Sequence, residues 1–142
     1  MKNFGCNSKS GFTLTELLLV VIIIGIATAL TLPLFVRTME KAKVGEATSN
    51  LNLIRMAERE YYLENGTYIP ITGITDADWA NSNLNIDNPN GPTGRCFDYT
   101  VSSTDVSSNF TAKATRKNNA PSGYQGNEYT IKKDGVISGP LI

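Results

Sequence analysis

The feature that most constrains this chain is a run of twenty residues, Leu17 to Val36, without a single charged side chain. As a helix rising roughly 1.5 Å per residue it would reach about 30 Å, the thickness of a bilayer's hydrocarbon core. Glu16 stands at the start of the run, behind a short leader that carries Lys2 and Lys9 and ends in Gly11. A secretory signal is cut after its apolar region, at a small-residue site. Here the only cut that the residues offer lies before the apolar region, so the run would stay with the processed product.

Gly11-Phe12-Thr13-Leu14-Thr15-Glu16-Leu17, followed by apolar residues with Gly25 and Pro33 among them, resembles the N-terminal signature of type IV prepilins and type II secretion pseudopilins. The likeness is strong through Asn65 and holds only in general outline beyond it. It implies cleavage between Gly11 and Phe12 by a membrane peptidase, N-methylation of the exposed Phe12, and Glu16 as the fifth residue of the mature chain. It also implies polymerisation through the N-terminal helix, as a structural subunit of a type IV pilus or, alternatively, of a type II secretion pseudopilus. The implied partners are copies of the chain or related pilins, the prepilin peptidase and methylase, and an inner-membrane assembly machinery.

Composition agrees with that reading and excludes others. Loss of residues 1–11 would leave 131 residues, enough for one small domain with its own core once the apolar helix is set aside. Removing Lys2 and Lys9 takes the 13 basic residues to 11 against 13 acidic ones, so no general affinity for nucleic acid is expected. Cys6 would go with the leader, leaving Cys96 as the only thiol; an intrachain disulfide and paired-cysteine metal sites are then excluded. The chain has no His, which rules out His-based triads, proton shuttles and His-ligated zinc. No carboxylate pair sits on a recognisable catalytic scaffold. The expectation is a protein that is not an enzyme and needs no cofactor or metal.

Basic residues do not settle orientation, because Lys2 and Lys9 on one flank are balanced by Arg37, Lys41 and Lys43 on the other. A long C-terminal domain is translocated largely regardless of charge, and the implied peptidase acts on the cytoplasmic side. The expected topology is a single pass through the inner membrane with the C-terminal domain outside the cytoplasm, followed by export into a surface pilus or a periplasmic pseudopilus.

From Arg37 the pattern changes. Val44, Ala47, Leu51, Ile54 and Tyr61 recur at helical spacing on one face, while the other faces carry five acidic and five basic residues, Glu40, Glu58, Arg55 and Arg59 among them. Asn65-Gly66 is a helix stop. The spacing predicts one helix from about Thr13 to Asn65, apolar all round at first and then on a stripe. Thr75 to Trp79 predicts a short capped helix inside the connector 66–94, and Asn81 to Gly94 reads as turn and loop. Alternation at Phe97, Tyr99 and Val101, at Phe110, Ala112 and Ala114, and at Tyr129 and Ile131 predicts strands, with Asp134-Gly135 as a hairpin turn. The expected class is α+β, a long helix on a four-stranded antiparallel sheet. Its divisions are the leader 1–11, a membrane or filament-core helix 12–36, an amphipathic half 37–65 and a connector with β head 66–142.

Individual residues carry competing readings. Glu16 fits a capping box with Thr13, yet an acid at a membrane surface wants a partner, and cleavage would create one in the α-amine of Phe12. Pro33 removes the hydrogen bond to the carbonyl of Ala29 and predicts a kink, which Thr28 or a neighbouring helix would relieve; the resemblance adds that Gly25 to Pro33 loosens in a filament. Asp76, Asp78 and Asp87, near Asn83 and Asn85, lack EF-hand spacing and read as loop solubility rather than a calcium site. Cys96 reads as a semi-buried packing residue. Five acidic residues between Asn65 and Asp105, against basic Lys113, Arg116, Lys117, Lys132 and Lys133 further on, read as solvated surface or as complementary patches between subunits. A nucleic-acid reading of the basic set is disfavoured, because no aromatic residues are interleaved with it. A monomeric membrane-tethered binding domain is the remaining function class, and neither the cut site nor Glu16 would serve it.

Overall fold

The computed structural model describes residues 11–140; Lys2, Cys6 and Lys9 of the expected leader lie outside that range. The helix α1 runs Leu14–Asn65 and is followed by α2, Asp76–Ala80, and by strands β1 Phe97–Ser102, β2 Thr111–Arg116, β3 Glu128–Lys132 and β4 Ile137–Ser138. The chain divides into two compact units, Met1–Thr38 and Met39–Ile142.

The first unit, as far as it is described, is the start of α1. It keeps its helical assignment through Pro33, and Thr28 Oγ1 donates to the carbonyl of Ile24 at 2.7 Å. Thr28 therefore does not take over the carbonyl of Ala29 that Pro33 releases.

The second unit contains the remainder of α1 and the head. Its sheet is an antiparallel meander in the order β1-β2-β3-β4. The register sets Val101 against Ala112, Ala112 against Ile131 and Ile131 against Ile137. Burial alternates along β1, β2 and β3, so that Phe97, Tyr99, Val101, Ala112, Ala114, Tyr129 and Ile131 form one core with Ala47, Leu51, Ile54 and Ala57 of α1. The helical stripe is covered as the spacing predicts, although Val44 and Tyr61 at its ends are only half-buried. Full burial of Leu51 and Ile54 contributes roughly 1.5 to 3 kcal/mol each.

The connector does more than its turn chemistry suggests. Thr75 and Asp78 form the expected capping box at α2, and Trp79 is buried. Ile71 pairs with Val101 through two backbone hydrogen bonds of 2.9 and 2.7 Å. Two residues along β1, the buried side chain of Asn90 bonds Tyr99 on both sides: its amide donates to the carbonyl at 2.9 Å and its oxygen accepts from the backbone N–H at 2.8 Å. Backbone at one position and a side-chain amide at the next thus close an edge that would otherwise be open to another chain.

Three residues that the pattern assigned to solvent are buried. Glu40 and Arg116 form a two-pronged ion pair at 3.0 and 3.1 Å, with Lys43 Nζ 2.8 Å from the same carboxylate. Arg116 also donates to the carbonyl of Cys96 and to Asn119, and lies over the Phe97 ring. These bonds, the one from Arg116 first, hold the Glu40 carboxyl below its ordinary range despite burial. Glu58 is buried as well, and its Oε2 accepts from the backbone of Ile69 at 3.1 Å while Oε1 has no partner among the described residues. Periodicity of apolar residues cannot register a charge whose partner is 76 positions away.

Candidate functional site

The chain enters α1 through Thr13, and four hydrogen bonds fix the entry. Thr13 Oγ1 accepts from the backbone N–H of Glu16 at 3.3 Å, and Glu16 Oε2 accepts from the backbone N–H and the hydroxyl of Thr13 at 3.0 and 2.7 Å. Leu17 closes the first turn by donating to the carbonyl of Thr13 at 3.2 Å. This reciprocal arrangement satisfies backbone donors that a helix start otherwise leaves open. Only one carboxylate oxygen is used: Glu16 Oε1 has no donor among the described residues. In the uncut chain the nitrogen of Phe12 is a peptide nitrogen, so the amine expected to face Glu16 does not yet exist. Phe12 itself is 79% exposed.

Behind this cap lies an exposed helical surface. Every residue from Leu17 to Phe35 is exposed, and the helix is long and apolar enough to cross a membrane. Thr28, Thr31 and Thr38 return their hydroxyls to the carbonyls of Ile24, Ala27 and Leu34 at 2.7, 2.6 and 2.9 Å. These three hydroxyls are thereby satisfied within the helix, as an apolar surrounding requires. The sequence signal for these bonds is a threonine inside a helix, at Thr28 and Thr31 within the uncharged run and at Thr38 just beyond it, with its acceptor four residues earlier.

Residues 6–32 match the family described as Prokaryotic N-terminal methylation motif. The chain carries that motif. It is 40% identical over 58 residues to the type IV major pilin protein PilA of Myxococcus xanthus, a match covering 41% of this chain and 26% of that protein. It is also 40% identical over 60 residues to the type II secretion system core protein G of Pseudomonas aeruginosa, covering 42% of each. The chain thus spans less than half the length of these curated relatives. No solved structure matches it. The methylation motif encloses Gly11, Phe12, Glu16 and Gly25 and ends just before Pro33.

The other candidate positions fall outside the methylation motif or play no evident part in it. A Cβ added at Gly25 would meet nothing within 4 Å, so packing inside the chain does not require glycine there. Asp78 is turned to Thr75 and Asp76 to Asn88. Among the described residues no group of three or more acidic or thiol side chains is placed to hold a metal ion. Cys96 is half-buried and free. The basic set is divided: Arg116 is internal, Lys113 pairs with Glu128 at 2.9 Å, and Lys117 lies 3.9 Å from Asp98.

Proposed function

We propose that this chain is a structural subunit of a type IV pilus or related filament, held in the membrane by the first half of α1 and polymerised through that helix. The observation that carries the reading is the capped Glu16, with one oxygen that no donor among the described residues reaches, at the head of an exposed apolar helix surface. Such a surface needs lipid or other helices around it. Cleavage between Gly11 and Phe12 would release an amine on the residue next to Thr13, whose backbone and hydroxyl already hold the other Glu16 oxygen. That amine, methylated on Phe12, would be the cation that the second Glu16 oxygen takes up, in its own chain or on the next subunit. The expected topology is a single inner-membrane pass with the head outside the cytoplasm. The prepilin peptidase and the inner-membrane assembly machinery act as partners, and the role is structural rather than catalytic. Gly25 and Pro33 would let the helix loosen once it is packed among others.

A type II secretion pseudopilus is the second reading. It is favoured by the similarity to the core protein G, which covers a larger share of that relative than of PilA.

The test is the N-terminus and the fibre together. Protein recovered from membranes should begin at Phe12 carrying an N-methyl group, and Gly11→Ala should leave more of the leader uncut. Glu16→Ala should still be cut and inserted but should yield few or no sheared filaments. An intact protein beginning at Met1, or full filament yield from Glu16→Ala where this chain is the bulk subunit, sinks the reading in favour of a tethered monomer.

A further inference from the structure

The exposed side of α1 between Glu46 and Glu64 is divided by charge. At roughly 100° per residue, Arg55 and Arg59 fall on one flank of the buried stripe and Glu46, Glu60 and Glu64 on the other. The structure keeps the flanks apart. Arg55 and Arg59 line a cleft of about 370 Å³ with Tyr62, Tyr68 and Lys133, whereas Glu60 and Glu64 line one of about 150 Å³ beside Asn83 and Asn85. Among the described residues no ion pair engages Arg55, Arg59, Glu60 or Glu64. Spacing makes this worse for the isolated subunit, since Arg55 and Arg59 are four residues apart, as are Glu60 and Glu64, and like charges at that spacing oppose a helix. Leu53, 52% exposed, lies on the acidic flank, and between the flanks the outward face presents Met56 and Leu63, which are 65% and 79% exposed.

We infer that the two flanks of α1 are the contact surfaces for further copies of the chain, with the Arg55 and Arg59 flank of one subunit against the Glu60 and Glu64 flank of the next. Polarity follows from the placement of the charges. Two such helices laid parallel and side by side, their buried stripes turned the same way, bring unlike flanks together, whereas the antiparallel arrangement of that kind sets like against like. In a parallel array each copy uses one flank toward each neighbour, a head-to-tail contact that extends instead of closing as a pair. Complementary charge of this kind fixes register and excludes wrong arrangements more than it adds affinity.

The inference rests on the filament reading and is tested in the full-length chain, expressed with its processing machinery, by sheared-filament yield beside the processed protein in the membrane fraction. Reversing one flank, Arg55→Glu with Arg59→Glu, or the other, Glu60→Arg with Glu64→Arg, should lower yield by about tenfold or more at unchanged membrane content. Combining all four substitutions, or co-expressing the two reversed forms, should restore filaments. Because Arg55 also donates to the carbonyl of Lys133 at 3.1 Å, the neutral pair Arg59→Gln with Glu64→Gln serves as a milder variant, expected to give filaments whose yield no longer falls with salt. Normal yield from either reversed pair overturns the inference, as does failure of the four-fold exchange to recover filaments at normal membrane content. Filaments that persist while an Arg55→Glu, Arg59→Glu chain loses binding to a single-stranded oligonucleotide would assign the basic cleft to a polyanion instead. If the wild-type chain forms no filaments, the filament reading itself fails, a result distinct from all of these.

Discussion

The two halves of α1 are both rich in apolar residues, yet their surroundings are opposite. Leu51 and Ile54 in the second half are fully buried, whereas Leu30 and Leu34 in the first are 74% and 64% exposed. The second half confines its apolar residues to a stripe, and one sheet is enough to cover a stripe. The first half is apolar all round, and no single neighbour can cover it. The difference is one of pattern: a periodic apolar surface packs into its own domain, whereas one apolar all round stays exposed.

The largest expected effect separates the halves outright. A chain beginning at Arg37 should be soluble without detergent and monomeric by size exclusion, while the full chain should require detergent. A truncated form that still aggregates would mean that the head does not cover its own stripe. Next in size, Arg116→Met in that fragment leaves the buried Glu40 with only Lys43 as its partner and should cost up to about 3 to 5 kcal/mol in chemical denaturation, with much of the loss recovered by adding Glu40→Met.

Leu51→Ala should lower the stability of the same fragment by about 2 to 5 kcal/mol through the cavity it leaves. Leu30→Ala, its counterpart in the first half, should leave the melting temperature of the head in the full chain unchanged. Equal effects from the two would erase the contrast.

The smallest effect is one of pH. Burial pushes Glu58 up to about 7 from an ordinary value of 4.5. Between those values the folded head binds more protons than the unfolded chain, so stability should fall as pH rises through that window, by about 3 kcal/mol in total. Glu40 acts in the opposite sense: its lowered carboxyl makes the head lose stability as pH falls below about 4.5. Glu58→Gln should flatten the alkaline side of the profile and leave the acid side in place. A wild-type profile that is flat between pH 5 and 8 would show that Glu58 is reached by water.

The sequence by itself determined the elements whose signals are local. The uncharged run, the capping pattern at Thr13 to Glu16, the stripe from Val44 to Tyr61, the box at Thr75 to Asp78 and the turn at Asp134-Gly135 each depend on neighbours a few residues apart, and each corresponds to structure. Only the tertiary structure decided the fate of the polar residues. Glu40 is internal because Arg116 reaches it across the fold, and Asn90 closes the edge of β1 because a loop returns to that strand. Tyr68 stands beside Tyr62, with ring centres 4.5 Å apart, because the chain reverses at Gly66. Apolar burial follows a period that can be counted along the chain, whereas a buried charge or amide is tolerated only where a distant group completes its hydrogen bonds, and that group is known only once the chain has folded.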